Sequence, residues 1–525
     1  MGEEKSGSIP DFWFFRGARG NALRSHVPRF LPSGRGVRLD MAPPPTRPGQ
    51  RDLTTGPIAA TLLAFALPTL GSNILQSLNG SINSIWVGRF LGESALAATS
   101  NANIIMFLMF SAVFGFGMAA TILIGQSVGR NDIDSARRAF GSTVGLVVGA
   151  AVLISILGWL FTPQILRLLA TPGEAQTMAR DYLRVIFLGL PFSMLGVLIQ
   201  MSLRGTGDSL TPLWFMLLSV VIDSSFNPLL IEGIGPFPGM GIAGSATATL
   251  LAGIISSAGL LIYIYWRDLP IRLRGPELRY LLPEAALVRT IVAKGLPMGA
   301  QMLVMSTAGL TMVGLVNRLG VDTAAAYAVS QQLWTYIQMP AMAIGVAVSS
   351  MAAQNIGAGK WERVNAITRA GIIYNTAITL FVIVAIILFD RQVMALFVGS
   401  ESPAIPIARH IQLIASWTFV MFGATMVLFS TVRANGATLA PLIILAIAFY
   451  PIRIGFALIG PRFIGQDALW YSFPLGSLVS LSLAILYYRS GHWRAQVLIV
   501  PTDPAEAGEQ AQATGEPAGR QHPNG

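Results

Sequence analysis

The chain has 525 residues, of which 53% are hydrophobic and only 11% are charged, and its net charge is +10 at pH 7. Soluble domains have about 25% charged residues, so this composition indicates an integral membrane protein. The chain has no cysteine, which excludes disulfides and thiolate metal sites, and its basic residues lie in the tails and between apolar runs, which indicates a membrane surface and no nucleic-acid partner.

The first element in chain order is a polar tail, residues 1–52. It contains nine of the 35 Lys and Arg residues among Gly, Pro and Ser, and it has no apolar run long enough for the core of a signal peptide. This composition predicts a disordered basic segment in the cytoplasm. Met41, followed by APPPTRPGQRDL, resembles an ordinary start and is an alternative first residue.

Twelve apolar stretches follow, each long enough to cross about 30 Å of hydrocarbon as a helix. With both chain ends placed inside, 26 of the 35 Lys and Arg residues lie on the inward side and 9 on the outward side, so the positive-inside rule predicts that both termini are cytoplasmic. The predicted spans are residues 57–80, 97–122, 137–161, 180–203, 211–231, 241–266, 289–316, 324–348, 364–389, 406–431, 439–460 and 467–488.

The two halves of the chain repeat at a shift of about 229 residues. Six helices per repeat is an even number, so both repeats enter the membrane from the same side, as in secondary transporters whose sites lie where two lobes meet. The matching segments are ALPTLGSNIL at 66 with GLPMGAQMLV at 295, GRFLGESALAA at 88 with NRLGVDTAAAYA at 317, IGQSVGR at 124 with AAQNIGAGK at 352, and LRGTGDSLTP at 203 with VRANGATLAP at 432.

The predicted fold is therefore an all-α membrane protein with twelve transmembrane helices in two parallel six-helix repeats around a central cleft. No GxxxxGK[ST] phosphate-binding loop occurs, so ATP is excluded as the energy source. The predicted domains are the tail 1–52, a first lobe 53–268, a cytoplasmic linker 269–288, a second lobe 289–490 and a disordered tail 491–525.

Asp223 is the main candidate for a functional residue. It lies eleven residues after Pro212, which is roughly 16 Å along a helix and about half the hydrocarbon thickness. A charge there is costly, and acids inside a membrane usually face a cavity or a partner and mark an ion path. No other acid falls in the middle of a predicted span. The alternative role is a protonated acid that only holds two helices together.

Polar neighbours of Asp223 complete the predicted site. Asn227 lies one helical turn later on the same face, and Pro228 leaves the Ser224 carbonyl without its helical donor. Together these groups are suited to H⁺ or Na⁺. Asn83, Gln200 and Ser245, from three other spans, are predicted polar companions, with hydrogen bonding between helices as the alternative role.

The second lobe has its own candidates. At the repeat shift, Arg453 falls next to the position of Asp223, which predicts a positive group in the second lobe at the same membrane depth as Asp223 in the first. The alternative is an arginine whose side chain extends to the outer headgroups. Trp334 and Tyr336 are predicted to stack on a flat cation, and Met305 to line an adaptable cleft. These six residues form the predicted substrate-binding set: Gln200, Ser245, Trp334, Tyr336, Met305 and Arg453.

Over about residues 57–490 the chain resembles the multidrug and toxic compound extrusion (MATE) family. The resemblance rests on LRGTGDSLTP (203–212), NPLLIEGIGPFPGMGIAGSATAT (227–249) and their echoes in the second half. It implies an antiporter of the inner membrane that expels drug-like, often cationic compounds by rocking two lobes. Asn83 occupies the place of an aspartate that members often have in the first helix, and Asp223 precedes Asn227 where members often have the reverse order.

The expected function is thus an antiporter that exchanges organic compounds for H⁺ or Na⁺, with no other cofactor, no metal centre and no catalytic residues. It is expected to work as a monomer in the inner membrane, with a small-molecule substrate and the lipid bilayer as its partners. A flippase or exporter for a lipid-linked intermediate or secondary metabolite is the alternative. A membrane enzyme is disfavoured because no catalytic constellation is present.

Overall fold

The computed structural model describes residues 51–168, 173–233, 239–399 and 401–496. These residues are nearly all helical and include no strand, which confirms the predicted all-α class. The first six spans are Ile58–Gly92, Ile105–Gly129, Ile133–Leu168, Gly173–Gly205, Leu210–Glu232 and Ile242–Trp266. The remaining spans are Ala285–Asn317, Val321–Gly357, Trp361–Leu388, the bent pair Ala404–Ala415 and Thr418–Ala434, residues 439–459 and Ala468–Ser490.

The number of crossings agrees with the predicted twelve. Ten helices in the described chain are long and apolar enough to span a membrane, or eleven if the pair bent by 44° is one span. One of these ten, Leu439–Ser490, has 52 residues and breaks between Ile459 and Ala468, so it supplies two spans. Each part is then about 30 Å long at 1.5 Å per residue, which fits the hydrocarbon thickness.

The first span is longer than predicted. The helix does not end near residue 80 but continues to Gly92, where φ of 79° and ψ of −169° interrupt it before it continues to Gly129. The polar segment after residue 80 suggested a loop. Its serines instead bond within the helix, since Ser81 and Ser84 each donate to a carbonyl four residues earlier, and Asn83 bonds to other helices of the lobe.

The two lobes contact each other from the middle of the membrane spans to one end of the molecule. The Ser111 hydroxyl donates to the Gly299 carbonyl at 2.9 Å, and a Cβ at Gly115 would overlap the carbonyl oxygen of Gly295. Small residues therefore allow the second and seventh spans to pack backbone against backbone. All inter-lobe hydrogen bonds among the described residues lie between this level and the turns at 129–132 and 357–360.

The predicted tails lie mostly outside the described residues, at positions 1–50 and 497–525. The described chain next to them is ordered at both ends. Leu53 is buried, its N–H donates to Gln354 Oε1 and its carbonyl accepts from Asn355 Nδ2. A short 3-10 helix, His492–Ala495, continues past the predicted boundary at 491 and buries Trp493 completely.

Candidate functional site

Asp223 lies near the middle of the 23-residue fifth span, and only 2% of its surface is exposed. The Thr249 hydroxyl of the sixth span donates to Asp223 Oδ1 at 3.1 Å, and the Asn79 side chain of the first span lies beside the carboxyl group. The acid thus faces the interior of the first lobe, between three helices. The sequence predicted that the Asp223 side chain faces a cavity or a partner, and the structure places it against Thr249, away from the lipid-facing surface.

Asn83 joins the same three helices one turn further along. Its Oδ1 atom accepts from Asn227 Nδ2 at 3.0 Å and from the Ser245 hydroxyl at 2.8 Å. Tyr182 of the fourth span is buried beside Asn83, near the Asp223 carboxyl group. We call Asn79, Asn83, Tyr182, Asp223, Asn227, Ser245 and Thr249 the first-lobe polar cluster.

Several oxygens of this region lack a hydrogen-bond partner among the described residues. They are Asn79 Oδ1, Asn227 Oδ1 and the hydroxyl oxygen of Ser224. Amide and hydroxyl oxygens next to one carboxylate fit a proton or a small hard cation. No group of three His, Cys, Asp or Glu residues suited to a metal ion occurs in the described chain.

The structure brings together most of the predicted first-lobe residues. Asp223, Asn227, Asn83 and Ser245 share one cluster, and the Ser224 hydroxyl is buried without a partner in the same helix. Gln200 is different, since no hydrogen bond among the described residues links it to them.

Three members of the cluster were not predicted: Asn79, Tyr182 and Thr249. Two of them carry a signal in the sequence. Asn79 precedes Asn83 by four residues and Thr249 follows Ser245 by four, so each pair lies on one helix face. No comparable signal marks Tyr182, because its contact comes from the packing of the fourth span.

Trp334 of the eighth span belongs to an aromatic group inside the second lobe. It is 4% exposed, its Nε1 atom donates to Gln412 Oε1 at 3.0 Å, and its ring centroid lies 5.0 Å from that of Phe473 and 5.7 Å from that of Tyr327. Tyr336, which was predicted together with Trp334 to stack on a flat cation, is 43% exposed and accepts a hydrogen bond from Gln332, so it does not join the aromatic group.

Arg453 lies next to this aromatic group. Its guanidinium carbon is 4.5 Å from the ring centroids of both Phe449 and Phe473, and both rings are buried. The residue is part of a π-helix, Ala448–Ile454, that contains Pro451. Met305 packs against the apolar clusters around both rings. Arg453 is therefore held against aromatic rings of the second lobe.

The contact between the lobes ends in a reciprocal pair of hydrogen bonds. Gln126 Nε2 of the first lobe donates to the Ala434 carbonyl at 2.6 Å, and Gln354 Nε2 of the second lobe donates to the Gly205 carbonyl at 2.9 Å. The two glutamines and the two acceptors are repeat-related. A Cβ at Gly129 would overlap the Gln354 carbonyl oxygen, and one at Gly357 would overlap that of Gln126. We call these four residues, Gln126, Gly129, Gln354 and Gly357, the inter-lobe clasp.

Comparison with known proteins matches both repeats. The family profile MatE matches residues 68–229 and 297–459. "Probable multidrug resistance protein YoeA" of Bacillus subtilis (strain 168) is 34% identical, over 81% of this chain and 92% of that protein. "Probable multidrug resistance protein YpnP" of the same organism is 32% identical, over 85% and 98%.

Solved structures share the fold. One described as "Outward-facing conformation of a multidrug resistance MATE family transporter of the MOP superfamily" aligns with a TM-score of 0.77 at 22% identity, over 85% of this chain and 98% of that chain. The two regions that the family profile matches begin 229 residues apart, at 68 and 297, which confirms the predicted shift of the repeat.

Proposed function

We propose that this chain, which belongs to the MATE family of transporters, is a secondary active antiporter. It exports drug-like organic compounds in exchange for H⁺, with Na⁺ as the alternative coupling ion. The observation that carries this proposal is the buried Asp223 carboxyl group at mid-span, among amide and hydroxyl oxygens that are not fully paired. Asp223, Asn227, Asn83 and Ser224 are the proposed ion-coupling residues.

Export is coupled to proton entry because a proton and a cationic substrate compete for the Asp223 carboxyl group. A low-dielectric site disfavours an isolated charge, so Asp223 is stable there when it binds either a proton or a cation. Proton entry from outside neutralises the group and releases a bound cation. One charge that moves through 100 mV supplies about 2.3 kcal/mol, which is enough to drive export without chemistry.

The inter-lobe clasp supports alternating access. It closes the molecule at the end that carries the turns at 129–132 and 357–360, where many of the inward-side basic residues lie. The positive-inside rule predicts that this end is cytoplasmic, so we propose an outward-facing state with both termini inside. The chain is a multi-pass membrane protein, and we place it in the inner membrane as a monomer.

Transport into liposomes with imposed gradients tests the proposal. The native chain is expected to move ethidium, a planar cation, when a pH gradient is present, and not under a Na⁺ gradient of equal size. Ethidium movement that follows only the Na⁺ gradient would reassign the coupling ion. No movement under either gradient, together with flipping of a labelled lipid, would support the alternative, a lipid-linked intermediate as substrate.

A further inference from the structure

We infer that Arg453 of the second lobe binds the anionic group of a further class of substrate, planar aromatic compounds with a carboxylate or phosphate group. This inference rests on the proposed function and adds a class of anionic compounds to the cations that the antiporter moves. The site consists of Arg453, the rings of Phe449 and Phe473 beside it, and the donor Gln412 behind Trp334.

Arg453 has no acidic partner in the described chain. The second lobe has five acids in residues 289–490. Asp390 pairs with Arg409 at 2.6 Å and Asp467 with His410 at 2.9 Å. The other three are exposed: Asp322, Glu362 and Glu401. Arg453 Nε is fully buried and without a hydrogen-bond partner among the described residues. A buried cation that lacks a counter-charge is costly, so the position suits a site whose anion comes from a ligand.

The surroundings of Arg453 favour a planar ligand. Two phenylalanine rings, each 4.5 Å from the guanidinium carbon, partly offset the cost of its burial through cation–π contacts. They also hold the guanidinium plane, whose paired N–H groups match the two oxygens of a carboxylate or phosphate. The π-helix around Arg453 widens the backbone at this point, and such turns are frequent at functional sites.

Gln412 adds a second unpaired donor. The indole N–H of Trp334 can only donate, so it fixes Gln412 Oε1 as the acceptor and leaves Gln412 Nε2 as the free end of the amide. Gln412 Nε2 is buried and without a partner among the described residues. Gln412 Nε2 and Arg453 Nε are thus buried unpaired donors, whereas Asn79 Oδ1 and Asn227 Oδ1 of the first-lobe polar cluster are unpaired acceptors. Donors select an anion and acceptors a cation.

Binding of fluorescein, a planar aromatic carboxylate, to the full-length protein in phosphatidylcholine nanodiscs tests this inference. Arg453→Gln is expected to weaken binding by about 10-fold or more, because it removes a charge-assisted hydrogen bond. Arg453→Lys is expected to weaken it less, since the charge remains but the planar guanidinium is lost. Arg462→Gln removes an exposed charge from the same lobe and is expected to change binding less than 2-fold.

The same variants distinguish the outcomes. Ethidium binding that is unchanged in Arg453→Gln shows that the variant is folded. Fluorescein that binds Arg453→Gln as tightly as the native chain overturns the inference, even if ethidium transport under a pH gradient is intact. Weaker fluorescein binding in phosphatidylglycerol than in phosphatidylcholine nanodiscs, seen only when Arg453 is present, identifies a lipid with a net anionic headgroup as the ligand of Arg453. Equal binding in both lipids identifies a free substrate.

Discussion

Asp223→Asn is expected to abolish ethidium transport driven by a pH gradient, with a loss of at least about 100-fold in the initial rate. Asparagine has nearly the same shape and can still accept from Thr249, but it cannot gain or lose a proton. The measurement is the initial rate in liposomes, with and without the gradient. Glu232→Gln is the matched control, since it removes an acid from the exposed end of the same helix.

A second variant separates loss of the acid from damage to the fold. Asp223→Asn combined with Asn227→Asp moves the carboxyl group by one turn on the same helix face, about 5–6 Å, into contact with Asn83. This double variant is expected to recover part of the pH-driven rate. Native rates in Asp223→Asn alone, with the same dependence on the gradient, would contradict the role of Asp223 in coupling.

Gly357→Ala and Gly129→Ala are expected to open the inter-lobe clasp. An added Cβ overlaps a backbone carbonyl oxygen of the opposite lobe at each position, and backbone atoms cannot move aside as a flexible side chain can. Closed and open states of transporters differ by only a few kcal/mol, so this clash is expected to make the separated state the major one.

The distance between the lobes can be measured directly because the chain has no native cysteine. Spin labels at Ser135→Cys and Glu362→Cys, one in each lobe near the clasp, report this distance by electron–electron double resonance. Gly149→Ala is the control, since nothing lies within 4 Å of its added Cβ. A distance distribution in Gly357→Ala equal to that of the control would show that the clasp does not govern opening.

Some of this site follows from the sequence because it depends on spacing along one helix. Asp223 and Asn227 are four residues apart, and the repeat places Arg453 at matching depth in the other half. The end of the first span was not predictable from hydropathy. Polar residues lower the mean hydropathy after residue 80, which suggests that the span ends there. Asn83 nevertheless lies inside the helix, and its polar side chain is hydrogen-bonded by Asn227 and Ser245 from other spans.

Contacts between helices of the second lobe were also not predictable from the sequence. The sequence marks Arg453 and Trp334 as unusual, and Phe449 precedes Arg453 by four residues in the same π-helix. Their other neighbours, Phe473 and Gln412, come from two other helices. Side chains from separate helices become neighbours only through tertiary packing, which no spacing rule encodes. Tyr336 follows Trp334 by two residues, which is about 200° around the helix, so the two side chains lie on different faces.

The central claim is that a proton and a cation compete for Asp223. The direct measurement is proton release when ethidium is added to the detergent-solubilised protein in weakly buffered solution. The native chain is expected to release about one proton for each ethidium bound, since one carboxyl group changes its occupant, and Asp223→Asn to release none. Equal release from both proteins would contradict the account.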